Sequence, residues 1–178
     1  MRRVLISLLQ LVRENLTPLV SNEKLLSTII STINSALLLS HGIRKDTTLY
    51  IVVGNHGTLK VEGSTLRNYR PDYYSARGLI VKALKGFIRK GITFRSEVSL
   101  KDIINRYSRY NKLELSKRGI DIEGLKFKGD ILIIDTNGET LGLKGFYKVM
   151  IKPYIYSIDQ RIAIVQNWLD KVASKWKA

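Results

Sequence analysis

Asp130-Ile131-Leu132-Ile133-Ile134-Asp135-Thr136-Asn137-Gly138 reads as a strand and the loop that leaves it. Four branched apolar residues in a row lie between two aspartates. No polar residue alternates with them, so both faces of the strand are expected to be buried, as in a parallel sheet covered on both sides. The segment from Asp135 to Gly142 (DTNGETLG) then sits at the strand's carboxyl end, where open α/β sheets bind ligands. Gly138 and Gly142 permit close backbone approach. The segment lacks the Gly-Lys-Ser/Thr ending of a Walker loop, and a plain turn accounts for it equally well.

Outward from this strand, helix and strand patterns alternate. Thr48 to Val53 (TLYIVV) is a second buried strand, and Val4 to Val12 is a first one, or a strand running into a helix. That run follows Arg2 and Arg3 like a leader, but Gln10 interrupts it and Arg13 and Glu14 follow with no small-residue cleavage site. Thr58 to Glu62 reads as a short edge strand, and Tyr147 to Lys152 as a third core strand stopped by Pro153. Leu25, Leu26, Ile29, Ile30, Ile33 and Leu37 recur at helical spacing behind Ser21 and Asn22, two capping types. A second stripe runs from Leu79 to Ile88 and is ended by Gly91; a third begins at Ser99. Ile158, Ile162, Val165, Leu169, Val172 and Trp176 line a last helix with Ser157 as its cap. The order predicts an α/β fold, a mostly parallel sheet with helices on both faces. Residues 1–178 contain no repeat or linker tract, so one domain is expected.

Thirty Lys and Arg oppose fifteen Asp and Glu in the 178 residues, a net charge of +15. A domain this basic points to a polyanionic partner, and RNA is the expected one. The absence of Cys excludes disulfides, thiolate metal sites and Cys nucleophiles. Two His, His41 and His56, are too few for a multi-His metal site, and none is expected. No apolar run reaches ~18–20 residues, so no membrane span is expected and a cytoplasmic location is. No Ser-His-Asp triad, nucleophile elbow or zinc signature is present.

The densest basic segment holds Arg67, Arg70, Arg77, Lys82, Lys85, Arg89, Lys90 and Arg95 against the single acid Asp72, with Tyr69, Tyr73 and Tyr74 interleaved. Cations neutralise phosphates and aromatic rings stack on splayed bases, so these are candidate RNA contacts. The plain alternative is a solvated helix face with tyrosines at the rim of the core. His41-Gly42-Ile43-Arg44-Lys45-Asp46 reads as a helix end, with Gly42 as a left-handed cap and basic residues near the negative dipole end.

These segments together resemble the archaeal tRNA pseudouridine-54 N1-methyltransferase family of the SPOUT superfamily. Leu39, Ser40, His41, Arg44, Lys45 and Asp46 fit its Leu-Ser-His and Arg-basic-Asp signature. Gly63, Ser64, Leu66, Pro71 and Asp72 fit the next segment, Gly91, Ile92 and Arg95 a later strand, and Pro153, Ile162, Asn167, Leu169, Asp170 and Lys171 the closing loop and helix. The resemblance implies a C-terminal trefoil knot, a homodimer, S-adenosylmethionine as cofactor and tRNA as partner. It implies a cofactor pocket built from Leu115, Asp135, Gly138, Lys152, Pro153, Tyr154, Ile155, Tyr156 and Ile162, with Asp135, or Asp46 from a second chain, as proton acceptor. It adds Arg44 and Lys45 to the RNA contacts.

Two places depart from the family pattern. The loop after the buried strand reads Asp-Thr-Asn-Gly-Glu where the family has Gly-Asp-His-x-Gly, and Arg161 stands where the family has Cys. Arg161 borders the buried stripe of the last helix, so it can fill part of the pocket or clamp a phosphate or carboxylate at the catalytic site. The alternatives to a tRNA methyltransferase are a non-catalytic SPOUT-fold RNA-binding protein that has lost cofactor binding, and a ribosomal RNA pseudouridine N1-methyltransferase.

Overall fold

The computed structural model describes residues 1–9, 19–138, 141–152 and 156–174. Its strands are β1 (Arg3–Leu9), β2 (Leu38–Leu39), β3 (Gly42–Ile43), β4 (Thr47–Val53), β5 (Gly57–Glu62), β6 (Ile92–Arg95), β7 (Asn111–Asp121), β8 (Ile131–Asp135) and β9 (Tyr147–Met150). Its α-helices are α1 (Glu23–Leu37), α2 (Tyr73–Leu84), α3 (Leu100–Arg106) and α4 (Ile158–Ser174). Seven strands form one sheet in the order β6-β5-β4-β1-β8-β7-β9. β4, β1, β8, β7 and β9 run parallel, while β5 and β6 extend the sheet antiparallel.

The four apolar residues of β8 are fully enclosed because both faces of the sheet are covered. Leu5, Leu49, Ile51 and Ile133 pack with Leu26 and Ile29 of α1, Ile80 of α2, and Ile162, Val165 and Leu169 of α4. Val4, Ile6, Tyr50, Leu132 and Ile134 point the other way, onto Ile103 of the short α3. Each such buried aliphatic side chain contributes ~1.5–3 kcal/mol. The expected mostly parallel sheet with helices on both faces is the observed one, though among the described residues three helices share one face and the seven residues of α3 serve the other.

Several local expectations are corrected. β5 is an inner strand between β4 and β6, and β9 is the opposite edge, where Tyr147 and Lys148 are exposed. The second helix ends at Leu84, and Gly86, in the left-handed region, turns the chain out; Phe87 and Ile88 are 59% and 73% exposed and leave the apolar stripe. Gly42 is not a left-handed cap: α1 passes directly into β2, which pairs with β3 as a small hairpin bearing His41 at its turn. β7 has no counterpart in the sequence reading. Residues 10–12, Pro153 and Trp176, which entered that reading, lie outside the described residues. No helix among the described residues is long and apolar enough to cross a membrane.

Candidate functional site

The parallel register sets a row of side chains across the carboxyl end of the sheet: Ile51, Ser7, Asp135, Leu115 and Val149. Asp135 is buried in this row and faces the first turn of α4, which supplies Arg161. The Arg161 Nε–H donates to Asp135 Oδ2 at 2.9 Å and an Nη2–H to Asn137 Oδ1 at 2.9 Å, while Nη1 donates to the Tyr156 carbonyl. The Asn137 N–H donates to Asp135 Oδ1 at 2.9 Å. A cation in the first turn of a helix opposes the helix dipole, and burial adds a desolvation cost; the Asp135 carboxylate offsets both. The sharp bend after β8 follows from Asn137 and Gly138, both in the left-handed region (φ 54° and 93°), which Asn and Gly enter most easily. One guanidinium thereby ties the loop after β8 to the loop before α4.

One residue back along β7, the pleat turns Glu114 to the opposite face, beside Ile134. Its carboxylate is 0% exposed. Oε1 accepts the Leu141 N–H at 2.7 Å, and Oε2 has no hydrogen-bond partner among the described residues. An acid between two leucines in a strand reads as solvent-facing, so only the cover over the second sheet face reveals it as interior.

A second charged group closes the amino end of the sheet. Arg3 Nη1 donates to Gln166 Oε1 at 2.9 Å and Asp170 Oδ1 at 2.5 Å, and Nε lies 3.1 Å from Asp46 Oδ2 as an ion pair off the line of a hydrogen bond. Arg44 Nη2 donates to Asp170 Oδ2 at 2.7 Å and Nη1 to the Leu38 carbonyl at 2.9 Å. Burial pushes the Asp170 carboxyl up, but the hydrogen bonds and charges of Arg44 and Arg3 outweigh it and hold the group below the ordinary aspartate value of 3.8.

The structure thus brings Asp135, Arg161, Leu115, Gly138, Tyr156 and Ile162 to one end of the sheet, with Leu115 and Ile162 fully enclosed in the core. Lys152 is exposed there and lies 3.7 Å from Asp121. Pro153, Tyr154 and Ile155 lie outside the described residues. Asp46 is not brought to this group: it precedes β4, at the opposite end from Asp135. Arg44 is turned inward to Asp170 rather than outward to RNA, whereas Lys45 is exposed.

The basic segment is divided by the sheet. Arg67, Arg70, Lys82, Lys85, Arg89 and Lys90 are exposed. Arg77 is half-buried and bonded to Glu23 at 2.7 Å. Arg95 lies beyond the end of α2, on the sheet face that carries Tyr50, Lys60 and Thr93. Of the three tyrosines, Tyr69 is buried with its hydroxyl on Asn34, Tyr73 bonds Glu23, and Tyr74 is 84% exposed, its ring edge-on to that of Tyr73.

A family model described as "Putative SAM-dependent RNA methyltransferase" matches residues 23–174. The tRNA (pseudouridine(54)-N(1))-methyltransferase of Methanococcus maripaludis strain C6 is 31% identical over 182 residues, covering 89% of this chain and 91% of the relative. The enzyme of that name from Haloferax volcanii is 29% identical over 156 residues, covering 78% and 79%. Among solved structures, Archaeoglobus fulgidus Nep1 bound to S-adenosylhomocysteine superposes with a TM-score of 0.58 at 18% identity, over 83% of this chain and 71% of that one, a likeness of fold. With a family model spanning α1 to α4 and a relative above 30% identity aligned over nearly its full length, the chain belongs to the SAM-dependent RNA methyltransferase family.

Proposed function

We propose that the protein transfers the methyl group of S-adenosylmethionine to N1 of a pseudouridine in tRNA, at the position named for its relatives, and does so in the cytoplasm as a homodimer with the knotted C-terminal segment its resemblance implies. The observation that carries the reading is the match to the Methanococcus enzyme along nine-tenths of both chains. The chemistry of the site fits the cofactor. Backbone groups are offered by the left-handed turn at Asn137–Gly138, and among the described residues the buried Glu114 carboxylate has one oxygen without a donor, next to the oxygen that accepts from Leu141. S-adenosylmethionine, when bound, supplies an electrophilic methyl group.

The chain's own residues position and deprotonate. Arg161 sets the spacing of the two loops that flank the carboxyl end of β8, by holding Asn137 and Tyr156 at once. Asp135 holds Arg161 in place. Asp46 is the proton acceptor for the pseudouridine N1–H; its side chain is 41% exposed, and it reaches the site only from a second copy of the chain. The exposed cations from Lys82 to Lys90 engage the tRNA phosphates.

Calorimetric titration with S-adenosylmethionine at millimolar concentration, followed by mass spectrometry of tRNA transcripts carrying pseudouridine, tests the reading. Saturable binding and a mass gain of one methyl group on the pseudouridine are expected; tRNA that binds and stays unmethylated sinks it. That second outcome is the RNA-binding alternative, favoured by one observation: the Arg161 guanidinium and Asp135 already satisfy each other at the end of β8.

A further inference from the structure

Among buried carboxylates here, Glu114 stands apart. Asp135 is neutralised by Arg161, but among the described residues no ion pair reaches Glu114, and its Oε2 accepts no hydrogen bond although the side chain is wholly enclosed. Leaving a carboxylate oxygen without a donor inside a protein is costly, and proteins leave few such groups without a functional cause. The position is informative. Glu114 lies near the carboxyl end of a parallel sheet, and its other oxygen is fixed by the Leu141 N–H of the loop that follows β8. In α/β folds an acid at a strand's carboxyl end recurrently accepts hydrogen bonds from ribose hydroxyls, because a carboxylate is an acceptor-only group and a sugar edge presents donors.

We propose that Glu114 is the acceptor for the ribose hydroxyls of the adenosyl cofactor. Oε2 takes the sugar's donor, while Oε1 reports ligand occupancy to the 141–143 segment through Leu141. The inference rests on the methyltransferase reading and adds a positioning residue to it. It also accounts for an acid retained in the core at a cost to the ligand-free fold.

The test compares wild type with Glu114→Gln by calorimetry, using adenosine, methionine and S-adenosylhomocysteine separately, and by thermal unfolding without ligand. Glu114→Gln is expected to weaken adenosine and S-adenosylhomocysteine binding by about tenfold or more and to leave methionine binding unchanged. The unfolding midpoint without ligand is expected to stay level or rise, since a buried uncompensated charge is removed while the Gln carbonyl still accepts from Leu141. A carboxylate with a purely structural role would show a lowered midpoint and unchanged affinities, which overturns the proposal. Loss confined to methionine and S-adenosylhomocysteine also overturns it, by moving the contact to the ammonium end. If Glu114→Gln does not fold, Glu114→Asp keeps the charge but shortens the reach, and the same affinity loss is expected. Wild-type protein that binds none of the three ligands removes the methyltransferase reading itself; wild-type binding matched by both variants removes only this inference.

Discussion

Arg161 shows how one substitution recasts a site. The sequence places it beside a buried stripe, and the structure gives every guanidinium nitrogen an acceptor at the end of β8. Arg161→Met leaves the Asp135 carboxylate buried and unpaired, and urea unfolding is expected to show a loss of ~3–5 kcal/mol. Adding Asp135→Leu to that variant is expected to restore most of it, because the stranded charge is gone. In Arg161→Cys, weaker S-adenosylmethionine binding marks Arg161 as the tie between the loops, and tighter binding marks it as a plug. Asp170 gives a pH prediction. Its carboxyl lies below the ordinary value of 3.8 in the folded chain, so its contribution is present above that pH and is lost as pH falls through the lower folded value. Unfolding monitored from pH 6 to pH 2 is expected to steepen below about pH 4, and Asp170→Asn is expected to flatten that limb. Arg44 and Asp46 were legible as a signature but not as a network, because their partners Arg3 and Asp170 come from opposite ends of the chain.

At the scale of elements, periodicity located most helices, and capping types marked the starts of α1 and α3; α2 begins at Tyr73, ahead of the apolar stripe that located it, and the Ser157 hydroxyl donates to Asp159 rather than capping α4. Asn22 accepts from the Leu25 N–H, Asp72 from the Ser75 N–H, and Ser99 forms a capping box with Asp102. Ser99→Ala is expected to cost ~1 kcal/mol in chemical denaturation, since α3 has two turns and few contacts to replace the cap. Gly63 is held more tightly. A Cβ there would lie 1.9 Å from the Arg44 carbonyl oxygen, so Gly63→Ala forces β5 away from the segment that carries Arg44. A loss above about 3 kcal/mol, or failure to fold, is expected by the same assay. β7 escaped the sequence reading because NKLELSKRGID mixes charges with only two leucines. Its strand character comes from β8 and β9 on either side and from a register shift between Leu115 and Ile120.

The whole molecule carries a charge of +15, and Lys82, Lys85, Arg89 and Lys90 form one exposed group at the end of α2 and the turn beyond it. Anisotropy titrations of tRNA across a potassium chloride series are expected to give a steep salt slope. Replacing Lys82, Lys85, Arg89 and Lys90 with Ala should lower that slope by about 3, at ~0.7–0.9 per phosphate contact. Arg77→Ala should leave it unchanged, since its guanidinium is bonded to Glu23. Analytical ultracentrifugation is expected to find a dimer, and mixing Asp46→Asn chains with Asp135→Asn chains should restore methylation, because each hybrid holds one site with both carboxylates. The sequence by itself determined the α/β class, the buried strand at β8, the starts of α1 and α3, the polyanionic partner and the family resemblance. The resemblance rests on signature residues such as Arg44, Lys45 and Asp46, and the other features are written in local periodicity, in capping types and in net charge, none of which needs a long-range contact to be read. Tertiary structure alone decided that Arg44 faces inward, that Arg161 closes on Asp135, and that Glu114 is buried with an oxygen that no donor among the described residues reaches. Each of these depends on which strands lie side by side, and pairing between distant segments leaves no mark in the spacing of neighbours along the chain.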